Sequence, residues 1–159
     1  MSIEEGDRLP DADLHVMRDG RPQAVSVAEL TAGKKVVIFA VPGAFTPTCS
    51  EHHLPGFVRH AEEIKSKGVS DIVCVAVNDA FVMDAWGRDR DADAIIMAGD
   101  GNGTFTEALG LVLDGSGFGL GKRSERYAMI VDDGVVTKLA VEGPGKFDVS
   151  KAESILEAL

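Results

Sequence analysis

Val36-Val37-Ile38-Phe39-Ala40-Val41-Pro42-Gly43-Ala44-Phe45-Thr46-Pro47-Thr48-Cys49-Ser50 is the stretch that decides how this chain is read. Its first six residues are β-branched or apolar without a polar break, the pattern of a strand buried on both faces. Pro42 and Gly43 interrupt it, and a helical pattern then runs from about Pro47 to Lys67 and stops at Gly68. Pro55 lies inside that pattern and is predicted to kink it, because proline removes an N–H and crowds the preceding turn. Cys49 falls in the first helical turn, with Thr46 three residues before it. A helix N-terminus carries partial positive charge and unpaired N–H groups, so it favours a thiolate over a thiol. The thiolate is the reactive form, and a free cysteine with an ordinary pKa of ~8.5 supplies little of it at neutral pH. The stretch therefore points to redox chemistry at Cys49. The competing account is that Cys49 is a small buried hydrophobe, as most free cysteines are.

Outward from this stretch, the pattern alternates. Asp13–Met17 and Gln23–Val27 read as an N-terminal hairpin across Asp19-Gly20. Ser26-Val27-Ala28-Glu29 has the form of a capping box for a short helical turn ending at Gly33. Ile72–Val77 is a second buried strand, Asp79 caps a helix through Arg88, and Ala94–Ala98 reads as a third strand. Thr104–Leu109 forms a short helix, and Arg126–Val131 pairs with Val135–Val141 across Asp132-Asp133-Gly134. Ser150-Lys151-Ala152-Glu153 is a further capping box and opens a last helix. Strands and helices in this order predict an α/β protein, a central mixed β-sheet flanked by helices on both faces. The helix after the first buried strand, the closing hairpin and the final helix together suit a thioredoxin-like fold. No repeat or linker divides the chain, so residues 1–159 read as a single domain.

Composition bounds the partners. The formal charge is −10, from 26 acidic against 16 basic residues, which disfavours nucleic acid and anionic membrane surfaces. Met1–Gly6 is short, polar and acidic, unlike a signal peptide, and no apolar run reaches the ~20 residues that span a bilayer. Two cysteines make no disulfide scaffold, so a reducing, cytoplasmic location is expected.

Pro42-x-x-x-Thr46-x-x-Cys49 resembles the signature of the peroxiredoxins, thiol peroxidases built on a thioredoxin fold. The longer text from Val41 to Ser50, continuing through His53-Leu54-Pro55-Gly56-Phe57, is similar to the type II (five-type) branch, as is Lys122-Arg123-Ser124-Glu125-Arg126-Tyr127. The resemblance implies a hydroperoxide substrate, hydrogen peroxide or a small alkyl hydroperoxide, and a Cys49 sulfenic acid intermediate. It implies no cofactor, re-reduction by glutathione with glutaredoxin or by thioredoxin, and a homodimer with aromatic side chains near the active site. Phe45, Phe81, Trp86 and Phe118 are the candidates for that contact, and each could instead be core.

The residue types suit these roles. Thr46 lies one turn from Cys49, so its hydroxyl can share a face with the sulfur and accept a hydrogen bond from peroxide. A guanidinium beside the sulfur favours thiolate, and its N–H fork can hold both sulfur and peroxide oxygens. The resemblance assigns this to Arg126, directly before Tyr127, rather than to the rival Arg123; the alternative for Arg126 is a surface salt bridge with Glu125 or Glu142. Pro42, with an apolar ring and no N–H, can close the pocket against water.

Cys74 follows Cys49 by 25 residues, inside an apolar strand where a cysteine is an ordinary core residue. Type II peroxiredoxins of plants and many bacteria have a cysteine at a similar position, sometimes assigned a resolving role, and a disulfide would need Cα atoms within about 7 Å. The C-terminal resolving cysteine of the mammalian branch is absent from Gly143–Ser150. His52 and His53 point about 100° apart on a helix, and no further Cys/His cluster completes a tetrahedral metal set, so no metal is expected. One of them, His53 foremost, is expected to support the active-site helix by packing or hydrogen bonding. Gly115–Arg123 fails the phosphate-loop pattern at Ser116 and Arg123 and reads as a flexible loop near the site. Asp100–Thr104 lacks the glycine and glutamate of a calcium loop and reads as a turn. Two other functions compete with the peroxidase, the first of them on the same fold. A thiol–disulfide oxidoreductase is weakened by Thr46 standing where a CxxC pair needs cysteine. A redox sensor or holdase would oxidise efficiently but turn over slowly with any reductant.

Overall fold

A computed structural model describes residues 2–159. Among the described residues, nine strands and five α-helices follow the order that the sequence predicts, with two short strands added before the closing hairpin. The N-terminal hairpin joins β1 (Asp13–Arg18) to β2 (Arg21–Ser26), and α1 (Val27–Thr31) follows directly. Asp19 and Gly20 both have positive φ, 53° and 77°, as a two-residue primed turn demands. Ser26 caps α1 as its sequence foretells, its hydroxyl accepting the Glu29 N–H at 3.0 Å.

The buried run becomes β3 (Lys35–Ala40), parallel to β4 (Asp71–Ala76), which is in turn parallel to β5 (Ile96–Gly99). The closing hairpin, β8 (Tyr127–Asp132) and β9 (Val135–Val141), lies antiparallel on the other side of β3. The full order is β2-β1-β5-β4-β3-β8-β9, a mixed seven-stranded sheet. Alternate residues of the central strands feed two cores. Val37, Phe39, Ile72 and Cys74 face α2 (Leu54–Ser66), α3 (Ala80–Asp89) and α5 (Ala152–Ala158); Val36, Ile38, Val73 and Val75 face α1 and α4 (Thr104–Leu109). Helix α2 buries Leu54, Phe57, Ala61 and Ile64, a spacing of three and four that keeps one stripe on the sheet.

Three local expectations are corrected. The kink expected at Pro55 is a π turn over Cys49–His53, closed by the Leu54 N–H reaching back to the Cys49 carbonyl. Proline at 55 has no N–H to continue the regular ladder, and widening the turn just before it relieves the crowding. Second, Ser150 does not cap α5: the cap position is Lys151, and the Ser150 hydroxyl donates to Glu142 instead, at 2.7 Å. Helix α5 starts one residue later than a cap at Ser150 requires, and the hydroxyl turns to the carboxylate. Third, the presumed loop at 115–123 belongs to a two-stranded ribbon, β6 (Val112–Asp114) with β7 (Lys122–Ser124), around a short 3₁₀ turn at Ser116–Phe118.

The helix ends and strand ends converge where β3 gives way to the π turn. Gly99 lets the end of β5 approach the link from β4 to α3, since a Cβ there would lie 2.6 Å from the Asn78 carbonyl oxygen. Asn78 is thereby placed to hold the active-site loop, its side-chain oxygen accepting the Ala44 N–H at 2.9 Å.

Candidate active site

Cys49 sits at the start of the π turn with no solvent exposure. Ser50 N–H makes the first helical hydrogen bond, to the Thr46 carbonyl at 2.9 Å. The N–H groups of Thr48 and Cys49 therefore fall in the first turn, where a helix has no internal acceptor to offer. Two side chains approach the Cys49 sulfur. Thr46 Oγ1 lies 2.9 Å from it and 2.7 Å from the Gly43 carbonyl oxygen, so its one proton serves two acceptors on one side. Its lone pairs remain to accept from a substrate hydroxyl. Arg126, the residue before β8, donates from one arm to the sulfur at 3.1 Å.

The other arm of Arg126 meets His53 Nδ1 at 2.9 Å. His53 is wholly buried, and its Nε2 lies 3.0 Å from the Ser150 carbonyl oxygen, which can only accept. Nε2 therefore carries the proton and Nδ1 accepts from the guanidinium. Burial, and then the Arg126 charge, pull His53 down to about 3. The imidazole is neutral, so the positive charge beside the sulfur belongs to arginine alone. Among the described residues Arg126 makes no salt bridge, with Glu125, Glu142 or any other acid. Arg123 does not reach the sulfur. Its Nε donates to the Leu120 carbonyl at 3.0 Å and one terminal nitrogen to the Pro42 carbonyl at 3.4 Å, bracing the loop from the β6–β7 ribbon.

Pro42 lies at the edge of a cavity of ≈ 380 Å³ that opens beside Arg126 and Thr48, with Leu113, Phe118 and Pro144 on its apolar walls. Phe45, in the same loop, has a φ of +66°, rare for a bulky side chain. Hydrogen bonds on both sides hold it there: Ala44 to Asn78, and the Thr46 N–H to the Gly43 carbonyl. Phe45 is 51% exposed, Phe81 58% and Phe118 90%, whereas Trp86 is fully buried and so leaves the group of surface aromatics.

Several contacts have no signal in the sequence. Trp86 donates from Nε1 to Ser50 Oγ at 2.8 Å, tying α3 to the turn that carries Cys49. Phe147, from a Gly- and Pro-rich loop, lies with its ring centre 5.8 Å from the Arg126 guanidinium carbon and 5.1 Å from the His53 ring. Only tertiary proximity reveals either. His52 points elsewhere, toward Phe147 at 6.3 Å, and among the described residues no group of three or more His, Cys, Asp or Glu could hold a metal.

Cys74 stands opposite Phe39 in the parallel pairing of β3 with β4, in the same apolar cluster as Cys49. Both cysteines are free thiols. Burial, and then the nearby Cys49 charge, push the Cys74 thiol up, which leaves it a poor nucleophile.

A sulfur at a helix start, flanked by a hydroxyl and an arginine on a mixed sheet of this topology, defines a thioredoxin-fold thiol enzyme. Residues 4–156 match the model of the Redoxin family. The chain is 52% identical over 163 residues to the chloroplastic peroxiredoxin-2E of Arabidopsis thaliana, covering 99% of this chain and 70% of that one. It is 50% identical over 159 residues to Arabidopsis thaliana peroxiredoxin-2B, covering 99% and 98%. The crystal structure of reduced Prx3 from Vibrio vulnificus in complex with hydrogen peroxide superposes with a TM-score of 0.95 at 56% identity, covering 98% of each chain. The chain belongs to the peroxiredoxins, in their type II branch. It is a thiol-dependent peroxidase, an antioxidant oxidoreductase.

The neutral buried histidine has a measurable consequence for stability. His53 is held near 3 in the folded protein against an ordinary 6.5, so between those values the unfolded chain binds the extra proton. The stability that neutral His53 contributes is complete above 6.5 and is lost as pH falls toward 3, by at most ~1.4 kcal/mol per pH unit. Urea midpoints measured between about pH 7.5 and 5 should fall on acidification. The fall should be shallower in His53→Gln, and an equal slope in the two proteins would contradict a neutral His53.

Proposed function

We propose that Cys49 is the peroxidatic thiol of this peroxidase and that Thr46, Arg126 and Pro42 form its immediate machinery. The observation that carries this is the sulfur held between the Thr46 hydroxyl at 2.9 Å and the Arg126 guanidinium at 3.1 Å. The Cys49 thiolate attacks one peroxide oxygen, the O–O bond breaks, and the departing hydroxide or alkoxide takes up a proton. Cys49 is left as a sulfenic acid. Thr46 accepts the substrate hydroxyl and orients the attack. Arg126 and the first-turn N–H groups stabilise charge growing on the leaving oxygen. The Pro42 ring keeps water from the sulfenic acid, and His53 supports Arg126 from below.

The sulfenic acid is re-reduced by an external thiol, either glutathione with glutaredoxin or thioredoxin. Attack by the first thiol releases water and leaves a mixed disulfide, which a second thiol resolves. Supporting an external reductant is the setting of Cys74, a fully buried thiol in a strand paired on both sides. A resolving role for Cys74 would require the first helical turn to open. The reading extends to a homodimer meeting through exposed Phe45, Phe81 and Phe118, and to a cytoplasmic location, which suits two free thiols.

Thr46→Val keeps the shape of the side chain and removes the hydroxyl. The bimolecular rate with hydrogen peroxide should fall about 10- to 100-fold, the scale of a hydrogen bond to a charged group, with the melting temperature little changed. A wild-type rate in that variant would remove Thr46 from the mechanism. Steady-state turnover with each reductant system in turn would identify the electron donor; turnover with neither would favour the sensor reading.

A further inference from the structure

One carboxylate fastens the loop between β9 and α5. Glu142 Oε2 accepts three hydrogen bonds: from the Asp148 N–H at 2.7 Å, the Ser150 N–H at 2.8 Å and the Ser150 hydroxyl at 2.7 Å. Its backbone N–H donates to the Arg126 carbonyl at 2.9 Å, so the same residue is tied to the arginine's own backbone. Burial works against the Glu142 charge, but the hydrogen bonds from Ser150 and Asp148 outweigh it and hold the carboxyl below its usual range. At neutral pH the knot is ionised and closed.

What the knot holds in place is the Ser150 carbonyl, and that carbonyl selects the tautomer of His53. With the proton on Nε2, the ring turns a lone pair toward Arg126 at 2.9 Å. With the proton on Nδ1, an N–H would face an N–H and the guanidinium would be turned aside. The arm that bonds the sulfur and the arm that bonds His53 are parts of one rigid fork. Phe147, from the same loop, covers both partners. Of the other charged groups, Glu125 and Lys146 line the cavity beside Arg126 along with Glu142.

We propose that Glu142 is a positioning residue for peroxide reduction: through Ser150 and His53 it sets the Arg126 fork on the Cys49 sulfur. The proposal rests on the reading of Cys49 as nucleophile and Arg126 as its charge partner.

The test uses the reduced full chain and two readouts: the stopped-flow rate with hydrogen peroxide, and the pH profile of Cys49 alkylation by iodoacetamide. In Glu142→Ala the rate should fall about tenfold and the alkylation profile should move to higher pH. Glu142→Gln keeps an amide oxygen for the same donors and should recover most of both. His53→Ala should resemble Glu142→Ala, and the double variant should be no slower than either, because the two act in series. A folded Glu142→Ala with the wild-type rate and profile overturns the proposal, as does full additivity with His53→Ala. Should Glu142→Ala fail to fold, Ser150→Ala removes a single bond of the knot and must shift the alkylation profile in the same direction. No shift there overturns the proposal. Arg126→Gln, run alongside, separates the two levels. A wild-type rate in that variant removes the reading beneath the proposal, whereas a slow Arg126→Gln with an unaffected Glu142→Ala removes the proposal alone.

Discussion

Cys49→Ser is expected to lose all measurable peroxide reduction while keeping its fold. Serine is close in size to cysteine, and the two groups near the sulfur, the Thr46 hydroxyl and the Arg126 guanidinium, can both donate to an oxygen. What disappears is the nucleophile: a serine hydroxyl is scarcely ionised at neutral pH and has no low-lying oxidation to a sulfenic acid. The second thiol does not take over. Cys74 is completely buried on a central strand, and burial holds it in the protonated form. Residual turnover in Cys49→Ser would therefore transfer the chemistry to Cys74 and overturn the assignment. The check is the stopped-flow peroxide rate, with near-UV circular dichroism confirming native packing.

Arg126→Gln is the second large effect, an expected fall of about 10²- to 10³-fold in the bimolecular rate, the range found when a donor to developing charge is removed. Three losses combine. The thiolate loses a full positive charge 3.1 Å away, the leaving oxygen loses a donor, and the His53 lone pair loses its partner inside the core. Glutamine is polar and shorter and leaves the surrounding packing in place, so the fold should survive. The thiolate fraction at neutral pH should fall with the rate, read from the pH dependence of alkylation. Arg123→Gln is the matched control: that side chain braces the Pro42 carbonyl and not the sulfur, so its effect should be far smaller. If the two substitutions proved equal, the division of labour between the arginines would be wrong.

The thioredoxin-like sheet was readable from the sequence because its signals are local. The β-branched runs at Val36–Val41 and Ile72–Val77 could be little else than buried strands, and the two Asp-Gly turns appear with the positive φ that their chemistry calls for. Cys49, Thr46 and Arg126 were legible through a motif, and the structure brings all three together. Features that depend on competition between partners were not legible. Ser150 has the sequence of a helix cap, but its hydroxyl donates to Glu142, eight residues earlier, and the helix starts a residue later. Pro55 signals a kink, but the pattern does not say that the distortion takes the form of a widened turn over Cys49–His53. The β6–β7 ribbon has three-residue strands rich in polar side chains, too short for a period to register. Trp86 reads as either contact or core from the sequence, and the structure buries it with its indole N–H on Ser50. His53 was expected to support the helix. That it does so as a neutral acceptor for arginine follows only from the Ser150 carbonyl on its far side.

The most direct test of the account is the intact mass of the reduced protein after one equivalent of hydrogen peroxide, measured beside Cys49→Ser. The wild type should gain one oxygen atom, removed by subsequent thiol, and the variant should gain none. Loss of two hydrogens within one chain would contradict direct attack of an external thiol on the sulfenic acid and bring in Cys74 as the resolving cysteine. No change in the wild type, or an oxygen gained equally by Cys49→Ser, would contradict the assignment of Cys49 itself.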